Sequence, residues 1–421
     1  MQKSTLWITQ LCGKSGMGKT FLAQSYLEAY DGQYFSFRNL DAAFAPQIFR
    51  PGYKLWREFF AEIGETKNRP VIFFDDVDDR NDKEDFLNAL PTLARKAYVV
   101  LLVRNQMELP FPFDVIQMTA MTVPLLLAEN EALAPLDALR AIAITDGIPE
   151  LVRLYDFQKS FTENLLSLFT QNSAYFCYAE SELRRNFRTP GTYNVLLYGM
   201  ATGHNRISQL SEFSGFPQNK CDKYLKALDK AGLLETVQRK DITDHIRTHY
   251  YPKGGYWKTW FRYVFPSQGH CLKLLEGDSL QQLANDIDRS IVAEYFKTVC
   301  WTWMEKNYGD YYWDEILRFD DPKQQNVTVN GVHFDYVQET KDHTIYVKIW
   351  DAIGEGFPKA EFQRIEAATT AVRPFYENIY FLFSAGRACN YVEQLRNLDT
   401  VAVVNLKSLL GQKNKKLFER V

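Results

Sequence analysis

The run Gly13-Lys14-Ser15-Gly16-Met17-Gly18-Lys19-Thr20 reads G-x-x-x-x-G-K-T, the types and spacing of a phosphate cradle. Glycines at 13, 16 and 18 permit a tight turn whose N–H groups converge on phosphate oxygens. Lys19 supplies a positive charge for β- and γ-phosphates. The Thr20 hydroxyl is a ligand for the Mg2+ that bridges them, and Phe21 completes the nucleotide-binding run. A second cluster is Asp75-Asp76, at the end of the apolar stretch Pro70 to Phe74. An acid at a strand tip can hold the Mg2+ water shell, which assigns Asp75 to the metal. Asp76 then stands where a carboxylate orients an attacking water. Asp78, Asp79 and Asp82 read as a solvated loop.

These groups work only if a strand enters the cradle and a helix leaves it, aiming the helix N-terminus at the phosphates. Leu6 to Leu11 is apolar and β-leaning, and Phe21 to Leu27 has helical spacing. Further strands are expected at Tyr34 to Phe37 and Tyr98 to Val103, and a helix at Leu55 to Ile63. Alternating strands and helices predict a parallel sheet with helices on its faces. In such a P-loop sheet Tyr98 to Val103 lies beside the cradle strand, so Asn105 is a candidate sensor of the γ-phosphate or its water; a strand-end cap is the competing role. From Leu125 to Tyr155 the pattern is helical, broken at Gly147 and Pro149.

Length and composition bound the rest. The 421 residues, 46% hydrophobic and 24% charged, suit two to four soluble domains. A net charge of −3 carries no global basic field, so any nucleic-acid contact must be a local patch. Six scattered cysteines without a C-x-x-C pair argue against zinc and disulfides and suit the cytoplasm. No apolar run is long enough to span a membrane, and the polar start does not read as a signal peptide.

The cradle, the Asp75-Asp76 strand end and Asp146-Gly147-Ile148-Pro149-Glu150-Leu151 resemble the archaeal-type AAA-like ATPases related to STAND NTPases. That resemblance implies ATP and Mg2+ as ligands and a Gly-x-Pro motif closing a helical lid. It also implies a winged helix and a restriction-endonuclease-like domain downstream, with self-association or a protein partner. The chain departs from the family pattern at three places. The acidic pair is Asp-Asp rather than acidic-Glu, Asn105 stands where Ser or Thr is usual, and no arginine lies between Arg104 and Arg140. A missing arginine finger costs on the order of 10³ to 10⁵ in rate, so turnover is expected to be slow or partner-dependent.

The middle of the chain reads as a helical linker closed by Pro190-Gly191, then three helices at Tyr193 to Tyr198, Ile207 to Phe213 and Asn219 to Ala231. Gly232 caps the third helix, and strands near Leu233 to Val237 and Tyr250-Tyr251 complete a helix-turn-helix with a wing. Lys220, Lys223, Lys226 and Lys230 share one face of the third helix, a DNA-tracking stripe or an ordinary solvated face. Asp241 and Asp244 make the neighbouring loop acidic. The aromatic run Tyr256 to Tyr263 reads as packing rather than a stacking platform.

The last third predicts a helix at Gln281 to Asn307, a strand at Tyr311 to Phe319, a hairpin turning at Asn330-Gly331, a strand at Thr344 to Trp350, a helix at Lys359 to Val372, and strands at Ile379 to Phe383 and Val401 to Val404. That order resembles restriction-endonuclease-like domains. By that resemblance Glu294, Asp335 and Lys348 are the nuclease residues. Tyr346 occupies the position where such enzymes carry a metal-binding Glu, and a phenol is a poor Mg2+ ligand. A degenerate domain kept as an interaction platform follows, and Lys413, Lys415 and Lys416 read as a solvated end.

The expected protein is thus α/β: a P-loop ATPase domain with helical lid (1–156), a linker and winged helix (157–265) and a degenerate nuclease-like domain (266–421). The expected function is an ATP-binding, Mg2+-dependent switch. Its rivals are a DNA-binding regulator, an ATP-regulated nuclease and a nucleotide-binding scaffold with little turnover.

Overall fold

The computed structural model describes residues 6–410 apart from 39, 41–44, 50, 64–68, 78–83, 131, 241–245, 267–277, 313–314, 396–397 and 399. Asp78, Asp79, Asp82, Asp241, Asp244, Lys413, Lys415 and Lys416 lie outside the described residues. Two units form: Met1–Ala120 with Ile148–Glu150, and Met121–Gly147 with Leu151–Val421.

In the first unit the apolar runs become β1 (Ile8–Cys12), β2 (Gly32–Ser36), β3 (Val71–Asp75), β4 (Tyr98–Val103) and β5 (Asp114–Gln117). The sheet order is β2-β3-β4-β1-β5, and every pairing is parallel. Helices α1 (Lys19–Ala29), α2 (Ala45–Phe49), α3 (Trp56–Glu62) and α4 (Glu84–Ala94) complete it. Period-two alternation sorts the strand side chains between two layers. Ile72, Phe74, Val99 and Leu101 face a core with Trp56, Phe60, Phe86 and Leu90 of α3 and α4. Phe73, Leu11 and Leu102 face the other way, against Ala23, Tyr26 and Leu27 of α1. β4 pairs with β1, as expected for this strand in a P-loop sheet. β5 was not expected: it is four exposed residues at the sheet edge, with too little apolar character to stand out.

The second unit begins with α5 (Val123–Glu129) and α6 (Pro135–Thr145). The short α7 (Pro149–Val152) crosses the unit boundary. The expected linker is two helices, α8 (Phe161–Phe169) and α9 (Ala174–Asn186). A capping box, Ser160 with Glu163, starts α8. Then come α10 (Pro190–Ala201), α11 (Ile207–Ser214), α12 (Gln218–Lys230) and an antiparallel ribbon of β6 (Leu234–Lys240) and β7 (Ile246–Pro252). α13 (Gly255–Thr259) continues into a π-helical turn at Trp260–Val264. Tyr256, Trp257, Trp260 and Phe261 are buried there, and the Tyr256 hydroxyl donates to the Tyr175 carbonyl at 2.8 Å, so the aromatic run is packing.

The expected long helix forms, with a π-helical turn inside it. α14 (Asp278–Ile287) and α15 (Ala293–Lys306) are joined by a π-helical turn at Asp288–Val292. The expected strand 311–319 reduces to β8 (Tyr311–Tyr312) and β9 (Glu315–Ile316). A second five-stranded sheet follows, of order β10 (Gln325–Val329), β11 (Val332–Glu339), β12 (Thr344–Trp350), β13 (Asn378–Ser384) and β14 (Val401–Asn405). Its first three strands pair antiparallel and its last three parallel. Asn330 and Gly331, with φ of 46° and 77°, make the β10–β11 turn. α16 (Lys359–Thr370) packs on one face through Phe362 and Ile365, with α17 (Asn390–Gln394) and α18 (Leu406–Leu410) completing the chain.

Candidate functional site

Gly16 and Gly18 take φ of 75° and 89°, the left-handed region in which a Cβ is strained. The turn between them carries the chain from β1 into α1, whose first residue is Lys19. Lys19 is 9% exposed. Its Nζ donates to the Gly13 carbonyl and, at 3.0 Å, to the Lys14 carbonyl, so the ammonium lies curled within the loop. The Gly13 N–H donates to the Val103 carbonyl at 3.0 Å, tying the loop to the end of β4. No acidic side chain occupies the first turn of α1, and a Cβ on Gly18 would meet nothing within 4 Å. Space at a helix N-terminus, with a lysine beside it, suits a phosphate chain.

Asp75 is the last residue of β3 and is 5% exposed. Its Oδ2 accepts from Thr20 Oγ1 at 2.6 Å and from the Tyr34 hydroxyl at 2.7 Å. Its Oδ1 accepts the Asp76 N–H at 2.8 Å. Burial first, and Asp75 second, push the Tyr34 phenol above its ordinary pKa, so Tyr34 is a donor at neutral pH. Asp76 has φ of 59°, unusual for a residue other than glycine, and follows β3 directly. The structure thus brings Thr20 and Asp75 together. Hydroxyl and carboxylate oxygens are the hard donors that Mg2+ takes, so the pair fits that ion.

Asn105 lies two residues past β4. Gln10 holds the same loop: its amide donates to the Met107 carbonyl at 2.8 Å and accepts the Met107 N–H at 2.8 Å. Ile148 and Glu150, from the Gly-x-Pro motif, approach Gly16. The Glu150 N–H donates to the Gly16 carbonyl at 3.1 Å. Ser15, Met17 and Phe21 complete the loop and the start of α1; Met17 is buried and Phe21 exposed. Tyr34 and Gln10 escaped the sequence reading, which named Glu150 within the Gly-x-Pro motif without its bond to Gly16. Tyr34 passes for a strand aromatic, while Gln10 and Glu150 act through neighbours far away in sequence.

Arg140, the next arginine after Arg104, is engaged inside the second unit. Its Nε and an Nη donate to Asp288 at 3.1 and 2.6 Å, and its guanidinium covers the Phe161 ring at 4.7 Å. Asp146, with φ of 53°, accepts the N–H groups of Gly255 and Tyr256 at 2.6 and 3.2 Å, and the Met121 N–H donates to the Gly147 carbonyl at 2.7 Å.

On α12, Lys220, Lys223, Lys226 and Lys230 are all exposed, opposite buried Cys221, Leu225 and Leu228. Lys226 pairs with Asp222 at 2.6 Å, and Lys220 sits 4.3 Å over the Phe216 ring. Of the candidate nuclease residues, Asp335 is buried and accepts the Ile349 N–H at 2.7 Å, while Lys348 donates to the His333 carbonyl at 2.7 Å and lies 3.7 Å from Glu361. Tyr346 is buried between Phe334 and Tyr380. Glu294 instead pairs with Lys258, on the wall of a cavity of about 670 Å³ between α10, the β6–β7 ribbon and α15. Among the described residues no group of three His, Cys, Asp or Glu is arranged to hold a metal ion, and no helix is long and apolar enough to cross a membrane.

Residues 9–108 match the model of the ATPase family associated with various cellular activities (AAA). That span contains β1 to β4, the phosphate loop and Asp75, and the chain therefore carries a P-loop, AAA-type nucleotide-binding ATPase domain. An uncharacterized protein of Methanocaldococcus jannaschii is 27% identical over 88 residues, so the match spans a fifth (20%) of that relative's length and 20% of this chain. The solved Orc1 protein of Aeropyrum pernix, in complex with DNA, aligns at 13% identity and a TM-score of 0.33 over 63% of this chain and 88% of that chain. Can2 from Sulfobacillus thermosulfidooxidans, in complex with cyclic tetra-adenylate, aligns at 8% identity and a TM-score of 0.23 over 94% of this chain and 99% of that chain. At those scores neither likeness bears on how this chain is arranged.

Proposed function

We propose that this protein is an ATP-driven switch. ATP and Mg2+ bind at Gly13 to Phe21 with Asp75, and the nucleotide state is passed along the Gly-x-Pro motif to the second unit. The observation that carries this reading is the continuity of residues 146–150. Glu150 bonds Gly16 of the phosphate loop, and four residues earlier Asp146 bonds the start of α13.

The roles divide by chemistry. Backbone N–H groups of the loop and the Lys19 ammonium bind and orient the phosphates. Thr20 and Asp75 would hold Mg2+, which when bound supplies neutralisation of charge on the β- and γ-oxygens. Asp76 orients the attacking water and accepts its proton. Asn105, two residues past β4, would sense the γ-phosphate or its water; β4 running beside β1 supports that role. Arg140 is committed to Asp288, and no other arginine follows Arg104 until then. Intrinsic turnover is accordingly slow, and a partner or a second copy supplies the missing positive charge.

Three helices followed by a two-stranded ribbon support a winged helix, and the second sheet supports a restriction-endonuclease-like platform. Buried Tyr346 in place of an acid, and Glu294 paired with Lys258, favour a platform without cutting. A second reading, a DNA-binding regulator with nucleotide as ligand, draws on the four exposed lysines of α12.

The test is titration of wild type and Lys19→Ala with MgATP, followed by phosphate release. Wild-type binding that the variant loses, with slow turnover that Asp76→Ala reduces by on the order of 10²-fold, supports the switch. Folded, nucleotide-free wild type that binds no ATP would falsify it.

A further inference from the structure

Tyr34, in the middle of β2, belongs neither to the phosphate loop nor to the acidic pair at the end of β3. Its hydroxyl nevertheless donates at 2.7 Å to Asp75 Oδ2, the oxygen that also receives Thr20 Oγ1. The register explains the contact. Tyr34 of β2 pairs with Phe73 of β3, and Asp75 lies two residues on, hence on the same face. That is the α1 face, where Tyr34 packs against the cluster of Leu11, Ala23, Phe73 and Leu102 and where Thr20 stands in the first turn of the helix.

Three donors thus orient the carboxylate: Thr20 and Tyr34 on Oδ2, and the Asp76 N–H on Oδ1. An ionised carboxylate offers about four acceptor sites, so room remains for metal-bound water. The Thr20 hydroxyl, a metal ligand by the reading above, ligates through an oxygen lone pair and keeps its O–H for Asp75, so its position follows the ion. The Asp76 N–H moves with the acidic pair. Tyr34 alone of the three is anchored on a separate strand.

We infer that Tyr34 is the positioning residue of the metal carboxylate, fixing Asp75 for Mg2+ and, through the Asp75–Asp76 bond, the direction of the water-orienting Asp76. This rests on the nucleotide-binding reading above and adds a residue to it.

Tyr34→Phe removes the hydroxyl and keeps the ring. ATP affinity is measured in the full chain across a Mg2+ titration, with ATP in EDTA as the control for folding and phosphate release alongside. The expected result is EDTA affinity within twofold of wild type and a half-effect Mg2+ concentration raised about tenfold, the scale of one lost charge-assisted hydrogen bond. Turnover falls about tenfold with KM unchanged. Adding Tyr34→Phe to Asp75→Ala changes nothing more, because a residue acting through Asp75 has no effect without it. Wild-type Mg2+ dependence in Tyr34→Phe, loss of EDTA binding, or a further loss in the Asp75→Ala background each overturns the inference. Wild type that binds no nucleotide fails differently: it removes the proposed function, and this inference with it.

Discussion

Gly16 occupies a position where no side chain fits. A Cβ there would stand 2.8 Å from Ile148 Cγ2 and 2.9 Å from Glu150 Oε2, on a backbone with φ of 75°. The loop motif requires glycine for its turn, and the packed Gly-x-Pro motif requires it a second time. Gly16→Ala is therefore expected to cost about 1–3 kcal/mol in backbone strain alone. It should weaken ATP binding at least tenfold and lower the melting temperature, readable by titration and thermal unfolding. Gly18→Ala meets open space instead, so its effect should be confined to strain at φ of 89° and to nucleotide affinity. The phosphate-loop residues were legible because eight consecutive residues carry both the turn chemistry and the ligand chemistry. Tyr34 and Gln10 were not, because what they do depends on strand register and on a loop nearly a hundred residues away.

Among the elements, α6 joins its buried apolar face to one ion pair with the π-helical turn at Asp288. Arg140 and Asp288 bond at 2.6 and 3.1 Å, with side chains 21% and 11% exposed. Burial raises the Asp288 pKa, and Arg140 opposes that rise. A carboxyl whose folded pKa is raised gives up stability as pH climbs through that value. Removing Arg140 lets it rise further and leaves a buried charge without its partner. Arg140→Ala should then cost about 3–5 kcal/mol at pH 7. The loss should shrink as pH falls towards the ordinary carboxyl value of about 4, as melting temperatures at pH 7 and pH 4 would show. No shrinkage with acid would mean that the guanidinium acts by packing on Phe161 instead. Element boundaries were legible where pattern and packing agree, as in β1, β3, β4, β12 and β13, each a short run buried on both faces. The single long helix expected near 281–307 forms, but it carries a π-helical turn from Asp288 that presents that carboxylate to Arg140, and hydrophobic spacing contains no sign of a partner 148 residues away. β5 is exposed throughout and reads as loop.

At the scale of the whole chain, one of the three crossings between the units falls at the peptide between Gly147 and Ile148. On one side Asp146 accepts from the first two N–H groups of α13; on the other Glu150 bonds Gly16. A switch that works through this segment must alter the opening of α13 when nucleotide fills the loop, because the intervening chain is short and anchored at both ends. MgATP is therefore expected to change hydrogen exchange at residues 254–259 as well as at the phosphate loop. Lys19→Ala should abolish both changes. Asp146→Ala, which leaves two N–H groups without their acceptor at a cost of about 1–3 kcal/mol, should preserve the change at the loop and remove it at α13. If exchange at 254–259 ignores nucleotide in wild type while the loop responds, the ATPase domain binds its ligand without instructing the second unit. The scaffold reading then replaces the switch.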